Sequence, residues 1–221
     1  MIWPRKGCIV EQMDDLSREY VITFFERELE RHGDRPEALR WTAEGQRRHY
    51  EALLDIGDIR GRRILDFGCG KGDLYQYLAD RSIPVEYSGV DINARLISCA
   101  RRKFPKADFR VLDLDVEDID SDYDYIFLCG VFNLEICGID EAVCSTLSRL
   151  FRHCRNALAF NALSSYESCK GFELHYTNPG ALLDFAVKNL SPFVSLRHDR
   201  MRYDFTLFVY RSENVRQSAH T

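Results

Sequence analysis

The stretch "ILDFGCGKGDLYQYL", residues 64–78, passes from an apolar run through three alternate glycines into an amphipathic segment. Read locally, it is a β-strand closing at Asp66 and Phe67, a tight turn through Gly68, Gly70 and Gly72, and a helix opening at Asp73. Glycines in such a turn let the chain reverse sharply and let a ligand approach the backbone. Dinucleotide sites use G-x-G-x-x-G here, with the pyrophosphate on the helix N-terminus. In this chain the third glycine comes one position too early. Asp73 would also place negative charge where a pyrophosphate should lie. Both features argue against a nicotinamide dinucleotide.

Working outward, short apolar runs alternate with amphipathic ones. "RRILDF", "VEYSGVD", "FRVLD", "YDYIFLCG" and "NALAFNAL" read as strands, while "GDLYQYLAD", "ARLISCARRKF" and "DEAVCSTLSRLFRHC" read as helices. Strands apolar on both faces, alternating with helices, predict a parallel sheet covered on both sides. Right-handed crossovers make it doubly wound, with a ligand crevice at the carboxyl ends of the strands. Residues 191–211 hold two strand-like runs joined too closely for a parallel crossover, so the sheet should end in an antiparallel hairpin. The expected fold class is therefore α/β, a doubly wound and mostly parallel seven-stranded sheet with an antiparallel C-terminal hairpin. Upstream, a helix over about 14–31 carries a stripe of Leu16, Tyr20, Val21, Phe24, Phe25 and Leu29. Gly33 is placed to cap it, and a second helix spans about 43–56. We divide the chain into a helical N-terminal cap, 1–59, and a Rossmann-like domain, 60–221, forming one compact unit.

The formal net charge of −5 suits neither wide phosphate-backbone contact nor a nucleic-acid partner. The eight cysteines include no CxxC pair and no zinc-like spacing with histidine, and several sit in apolar runs as small hydrophobes. The N-terminus, Cys8 included, has no apolar segment long enough for a signal peptide, and no stretch approaches membrane-spanning length. The expectation is a cytoplasmic protein with reduced thiols, no metal centre and no membrane partner.

"LDFGCGKG" resembles the D/E-x-G-x-G-x-G loop of class I S-adenosylmethionine-dependent methyltransferases, whose cofactor carries a sulfonium and an ammonium but no phosphate. The resemblance implies a cofactor site of Asp66, Gly68, Cys69, Gly70, Gly72 and Asp73. After the second strand, Asp91 matches the family's ribose-binding acid and Ile92 its adenine neighbour. After the third, Asp113 and Leu114 match the adenine readers, with Asp115 as a competitor one pleat further on. Cys129 and Gly130 end the fourth strand, where the family surrounds the methionine part. The match covers roughly residues 60–211. "LRWTAEGQRRHYEALLDIGDIRG" is similar to the lead-in helix of bacterial methyltransferases of unassigned substrate, which suggests Trp41, Gln46 and Arg48 as lid or cofactor contacts.

The methylated atom is less legible, because the cofactor is already activated and the protein mainly orients the nucleophile. The N/D-P-P-Y/F tetrapeptide of adenine- and glutamine-modifying branches is replaced by "CGVFN", and no paired-glutamate loop follows. "TNPG" (177–180) reads instead as an N-cap and first-turn proline. The segment 164–176 interrupts the regular alternation and should roof the substrate pocket. Phe132, Asn133 and Glu135 after the fourth strand and Tyr166 and His175 in that segment are candidates on the nucleophile side, with Asn133 chosen to line the pocket and His175 as a general base, while His49 has no visible partner. We expect methyl transfer to a small molecule at oxygen or nitrogen, with S-adenosylhomocysteine as product. A protein or RNA acceptor is the alternative within enzymes, and a non-catalytic binding module the alternative outside them. The sequence leaves the oligomeric state open.

Overall fold

The computed structural model describes residues 13–213; the sequence reading of Cys8 and of the N-terminal segment lies outside them. Helix α1 (Asp15–His32) is capped by the Asp14 carboxylate, which accepts from the Ser17 amide, and ends at Gly33 in the positive-φ conformation expected of it. A 3₁₀ turn (Pro36–Leu39) leads to α2 (Ala43–Leu53), and the predicted second helix finishes as a further 3₁₀ turn, Leu54–Ile56. The alternating part follows as β1 (Arg63–Phe67), α3 (Asp73–Asp80), β2 (Glu86–Asp91), α4 (Ala94–Lys103), β3 (Asp108–Val111) and β4 (Tyr123–Cys129). It continues with α5 (Ile139–Arg152), β5 (Cys154–Leu163), α6 (Pro179–Asn189), β6 (Val194–Arg197) and β7 (Asp204–Tyr210). Asn178 caps α6 and Pro179 opens it, as read from "TNPG".

The seven strands form one sheet in the order β3-β2-β1-β4-β5-β7-β6, in which only β7 runs against the others. This is the doubly wound sheet with a closing antiparallel hairpin. Both faces of the central strands are covered, so Ile64, Leu65, Ile126, Phe127 and Leu128 are fully buried. On one side Val143, Leu147 and Leu182 from α5 and α6 complete the core. On the other side Tyr50, Leu53, Leu74, Leu78 and Ile97 from α2, α3 and α4 do so. Helix α2 is thus part of the main core.

Helix α1 is packed differently from the expectation. Leu16 and Tyr20 of the apolar stripe face outward, and the helix buries only Ser17 and Glu28. Val21, Ile22 and Phe25 turn inward over a cavity at the strand ends. Polar pins hold it there. The Asn93 side chain donates to the Ile22 carbonyl, Arg95 pairs with Glu26 and Glu30, and Arg18 reaches Asp113. No helix among the described residues is long and apolar enough to cross a membrane.

Candidate active site

The carboxyl ends of β1 to β4 open into this cavity, which holds about 1210 Å³ of atom-free space when the open solvent at its mouth is counted. The sheet contributes its floor. Gly68 and Gly70 come from the turn after β1, Asp91 and Ile92 from the end of β2, and Asp113 and Leu114 from beyond β3. Cys129 and Gly130 follow from β4. Residues predicted from four separate stretches therefore meet on one surface. The roof goes beyond the lid contact suggested for Trp41: Val21, Ile22 and Phe25 of α1 and Leu39 of the 3₁₀ turn cover that surface with it.

Asp91 is held rigidly. One carboxylate oxygen accepts from the Gly70 amide at 2.9 Å and the other from the Asn93 amide at 2.8 Å. Burial raises its pKa, and those two amides oppose the rise. A carboxylate has about four acceptor sites, so lone pairs remain for two hydroxyls of a ligand. Asp113 accepts from the Asp115 amide at 2.9 Å and forms a 2.7 Å ion pair with Arg18 Nε. Asp115 also pairs with Arg18, at 3.4 Å, and accepts from the Met13 amide. Both acids therefore anchor α1 over the cavity, and nothing local in the sequence announces Arg18.

Four predicted cofactor residues do not line the cavity. Asp66 lies beneath the floor and accepts a 2.5 Å hydrogen bond from the Tyr87 hydroxyl. Burial, with Asp91 and Asp73 nearby, pushes its pKa up to about 7 despite that bond. Cys69 is buried against Gly89, whose Cβ position would lie 2.9 Å from its sulfur. Gly72 is bare for packing: a Cβ there would meet Phe109 at 2.8 Å and Phe104 at 3.2 Å. Asp73 joins an ionic cluster instead. Lys71 Nζ lies 2.6 Å from it and Lys103 Nζ 3.2 Å away, and Gln46 donates to it at 3.0 Å. Burial would raise the Asp73 pKa, but Lys71 first, then Lys103 and Gln46, hold it below the ordinary value. The negative charge at the start of α3 is thus neutralised by its own chain.

At the β4 end, the Gly130 amide donates to Asn161 Oδ1 at 2.7 Å, and the Asn161 Nδ2 is buried with no partner among the described residues. A Cβ on Gly130 would stand 2.5 Å from the Trp41 ring and 3.2 Å from Asn133 Nδ2. Asn133 Oδ1 is likewise buried and unpartnered there. Trp41 packs against His49 with ring centroids 4.3 Å apart and the rings tilted by 51°. His49 is pinned in turn, with Nδ1 2.6 Å from the Gly45 carbonyl and Nε2 3.1 Å from Asp204. Of the two other residues suggested by the lead-in helix, Gln46 binds Asp73 and Arg48 donates to the Arg200 carbonyl.

His175 stands apart from the cavity. Its Nδ1 is 3.0 Å from Glu135 and its Nε2 3.1 Å from Asp140. Burial alone would lower its pKa, but the two acids, Asp140 first, raise it. Its amide also donates to the Asn133 carbonyl, beside the Leu134–Leu174 bridge. The segment 164–176 does fold back on the loop after β4, with His175 as the clamp between them. This corrects the expected role: a ring held on both sides by carboxylates outside the cavity cannot reach a reacting atom within it. Tyr166 points to solvent, whereas Phe132 is buried and lines the cavity.

Comparisons with known proteins agree on one family. A methyltransferase-domain model matches residues 65–163. The Mycobacterium tuberculosis protein Rv1506c, named as a methyltransferase, is 32% identical over 158 residues, 67% of this chain and 93% of that protein. A fatty-acid O-methyltransferase of Mycolicibacterium smegmatis is 31% identical over 80 residues, 35% of this chain and 29% of that protein. Among solved structures, the magnesium protoporphyrin IX methyltransferase of Synechocystis with bound S-adenosylhomocysteine superposes with a TM-score of 0.64 at 18% identity. That superposition covers 89% of this chain and 99% of the other. The plantazolicin methyltransferase BpumL gives 0.63 at 14% identity, over 90% and 100% of the two chains. At such identities these two structures speak for the fold.

Proposed function

This chain belongs to the class I S-adenosylmethionine-dependent methyltransferases, and from that premise we propose that it methylates a small-molecule acceptor at oxygen or nitrogen. The observation that carries the reading is the convergence of Gly68, Gly70, Asp91, Ile92, Asp113, Leu114 and Gly130 on one covered cavity. The donor set fits the cofactor. Asp91 presents a fixed carboxylate to the two ribose hydroxyls, and Asp113 with its neighbouring backbone presents acceptors and an amide to adenine. When bound, S-adenosylmethionine supplies an electrophilic methyl group on a cationic sulfur.

The protein's own part is to orient and to exclude water. Val21, Ile22, Phe25, Leu39 and Trp41 close an apolar roof over the site, which favours a small apolar acceptor over a flat macromolecular surface. Asn133, expected to line the pocket, sits between the lining residues Phe132 and Leu134 without lining the cavity itself; its buried, unpartnered Oδ1 is an acceptor, so its proposed part is to orient an acceptor molecule through an N–H or O–H beside the reacting atom. The carboxylates among the described lining residues are Asp91, Asp113 and Asp115, at the ribose and adenine end. With His175 clamped elsewhere, the nucleophile should arrive with its lone pair already free, as an oxyanion or an unprotonated nitrogen does.

The test is a calorimetric titration with S-adenosylhomocysteine, with NAD in parallel, on the native chain and on Asp91→Ala. The native chain should bind the first ligand alone, at about −8 kcal/mol or better. Loss of the hydrogen bonds to Asp91 should weaken binding by roughly ten- to a hundredfold. Unchanged affinity in Asp91→Ala would sink the ribose assignment, and preference for NAD would sink the methyltransferase reading. A screen of carboxylate, phenol and amine acceptors then tests the acceptor class; turnover confined to macromolecules would overturn it.

A further inference from the structure

We infer that Trp41 is the wall that recognises the positive charge of the cofactor's sulfonium, so that this residue sets the preference for S-adenosylmethionine over its neutral product. The inference rests on the cofactor reading above and concerns the end of the cavity that reading leaves without a charged partner.

Three observations place the indole there. First, its ring packs directly on Gly130, whose positive φ of 67° and missing side chain leave the space the ring fills; a Cβ would lie 2.5 Å from it. Trp41 and Gly130 both line the cavity, alongside Gly68 and Gly70. Second, the ring is fixed from behind. His49, buried, packs against it with ring centroids 4.3 Å apart and a 51° tilt, and is itself held between the Gly45 carbonyl and Asp204, so the indole cannot swing away freely. Third, the carboxylates among the described lining residues lie at the other end: Asp91 after β2, Asp113 and Asp115 after β3. Asp66, the nearest further acid along the chain, is beneath the floor on the Tyr87 hydroxyl.

A cation entering between the glycine turn and Gly130 therefore meets the indole, whose benzo edge (Cζ2 and Cη2) lies against Gly130, rather than a lining carboxylate. An indole is the best of the natural side chains for that contact, because its ring quadrupole is negative over the face and desolvation strengthens the attraction. A neutral aromatic wall also has a functional consequence. It holds the charged donor more strongly than the thioether left after transfer, and thereby favours release of the product. A carboxylate in the same place would add a competing nucleophile beside an electrophilic methyl group.

The experiment measures affinities of three probes by calorimetry: S-adenosylmethionine, S-adenosylhomocysteine, and sinefungin, in which an amine-bearing carbon replaces the sulfonium. They are compared in the native chain, Trp41→Phe and Trp41→Leu, each first checked for cooperative melting. Trp41→Leu should lose about tenfold in affinity for the two cationic probes while S-adenosylhomocysteine changes by much less, and Trp41→Phe should fall between. In a Trp3→Phe background, which leaves Trp41 as the only tryptophan, the cationic probes should quench indole emission more than the neutral one. An equal loss for all three probes would overturn the inference and leave Trp41 as a simple cover. Failure of the native chain to bind any of them would instead overturn the cofactor reading.

Discussion

Asp66 belongs to the glycine-turn motif but lies outside the lining of the cavity. Its carboxyl is buried under the floor of the cavity, bonded to Tyr87, with a pKa of about 7 against an ordinary value near 3.8. The folded protein holds that proton more tightly than the unfolded chain. Its contribution to stability is therefore fully present below about pH 4, falls as pH rises through the window to about 7, and is level above it. Asp66→Asn keeps an acceptor for Tyr87 and removes the titration. The variant should gain in melting temperature relative to the native protein between pH 5 and 8, with little gain at pH 4; parallel melting curves at all pH values would refute the assignment. The same motif shows what local sequence conveys and what it does not. Gly68, Gly70, Asp91 and Ile92 were legible because spacing along a strand-turn-helix unit fixes which atoms face the crevice. Gly72 and Asp73 carry the same signature, yet Gly72 accommodates Phe109 and Asp73 is neutralised by Lys71 and Lys103. Those partners come from packing, which the motif does not encode.

Helix α1 differs in kind from the elements of the sheet. Its length and its C-cap at Gly33 were readable, but its orientation was not, since Leu16, Tyr20 and Phe24 form as good a stripe as Val21, Ile22 and Phe25. What turns the second set inward is a set of distant polar pins, Arg18 on Asp113 and Asp115, and Asn93 on the Ile22 carbonyl. With no fully buried apolar side chain, the helix has little to hold it except those pins and whatever fills the cavity. In hydrogen exchange without ligand, amides of residues 19–32 should exchange well before those of β4. S-adenosylhomocysteine should slow them, because it completes the surface under Val21 and Phe25. Arg18→Ala removes a partly exposed ion pair worth about 1 kcal/mol, and should speed α1 exchange roughly fivefold while leaving β4 unchanged. Protection of α1 equal to that of the sheet would show that it is core rather than cover.

For the whole molecule, these differences bear on the cap of residues 1–59 and the compact unit expected from the sequence. A cap of residues 1–59 treats both upstream helices alike, but Tyr50, Leu53 and Ile56 are buried in the same cluster as Leu74, Leu78 and Phe127, while α1 belongs to the rim. The periodicity of α2 announced an apolar face without saying that the sheet needed it. We therefore expect two truncations to behave in different ways. Removing residues 1–33 takes away α1 with its ionic pins, and the remainder should still melt cooperatively, a few degrees lower, while losing most affinity for S-adenosylhomocysteine. Removing residues 1–56 also strips three large side chains from the core, each worth about 2–5 kcal/mol when truncated to alanine. That sum reaches the whole stability of an ordinary domain, about 5–15 kcal/mol, so this fragment should lack a cooperative transition in calorimetry and near-ultraviolet dichroism. If the shorter deletion also unfolds the protein, α1 is integral to the fold and the cavity it covers is a by-product of core packing. If both fragments fold, the sheet is stable without α2, and residues 1–59 are a separable cap rather than part of the one compact unit expected.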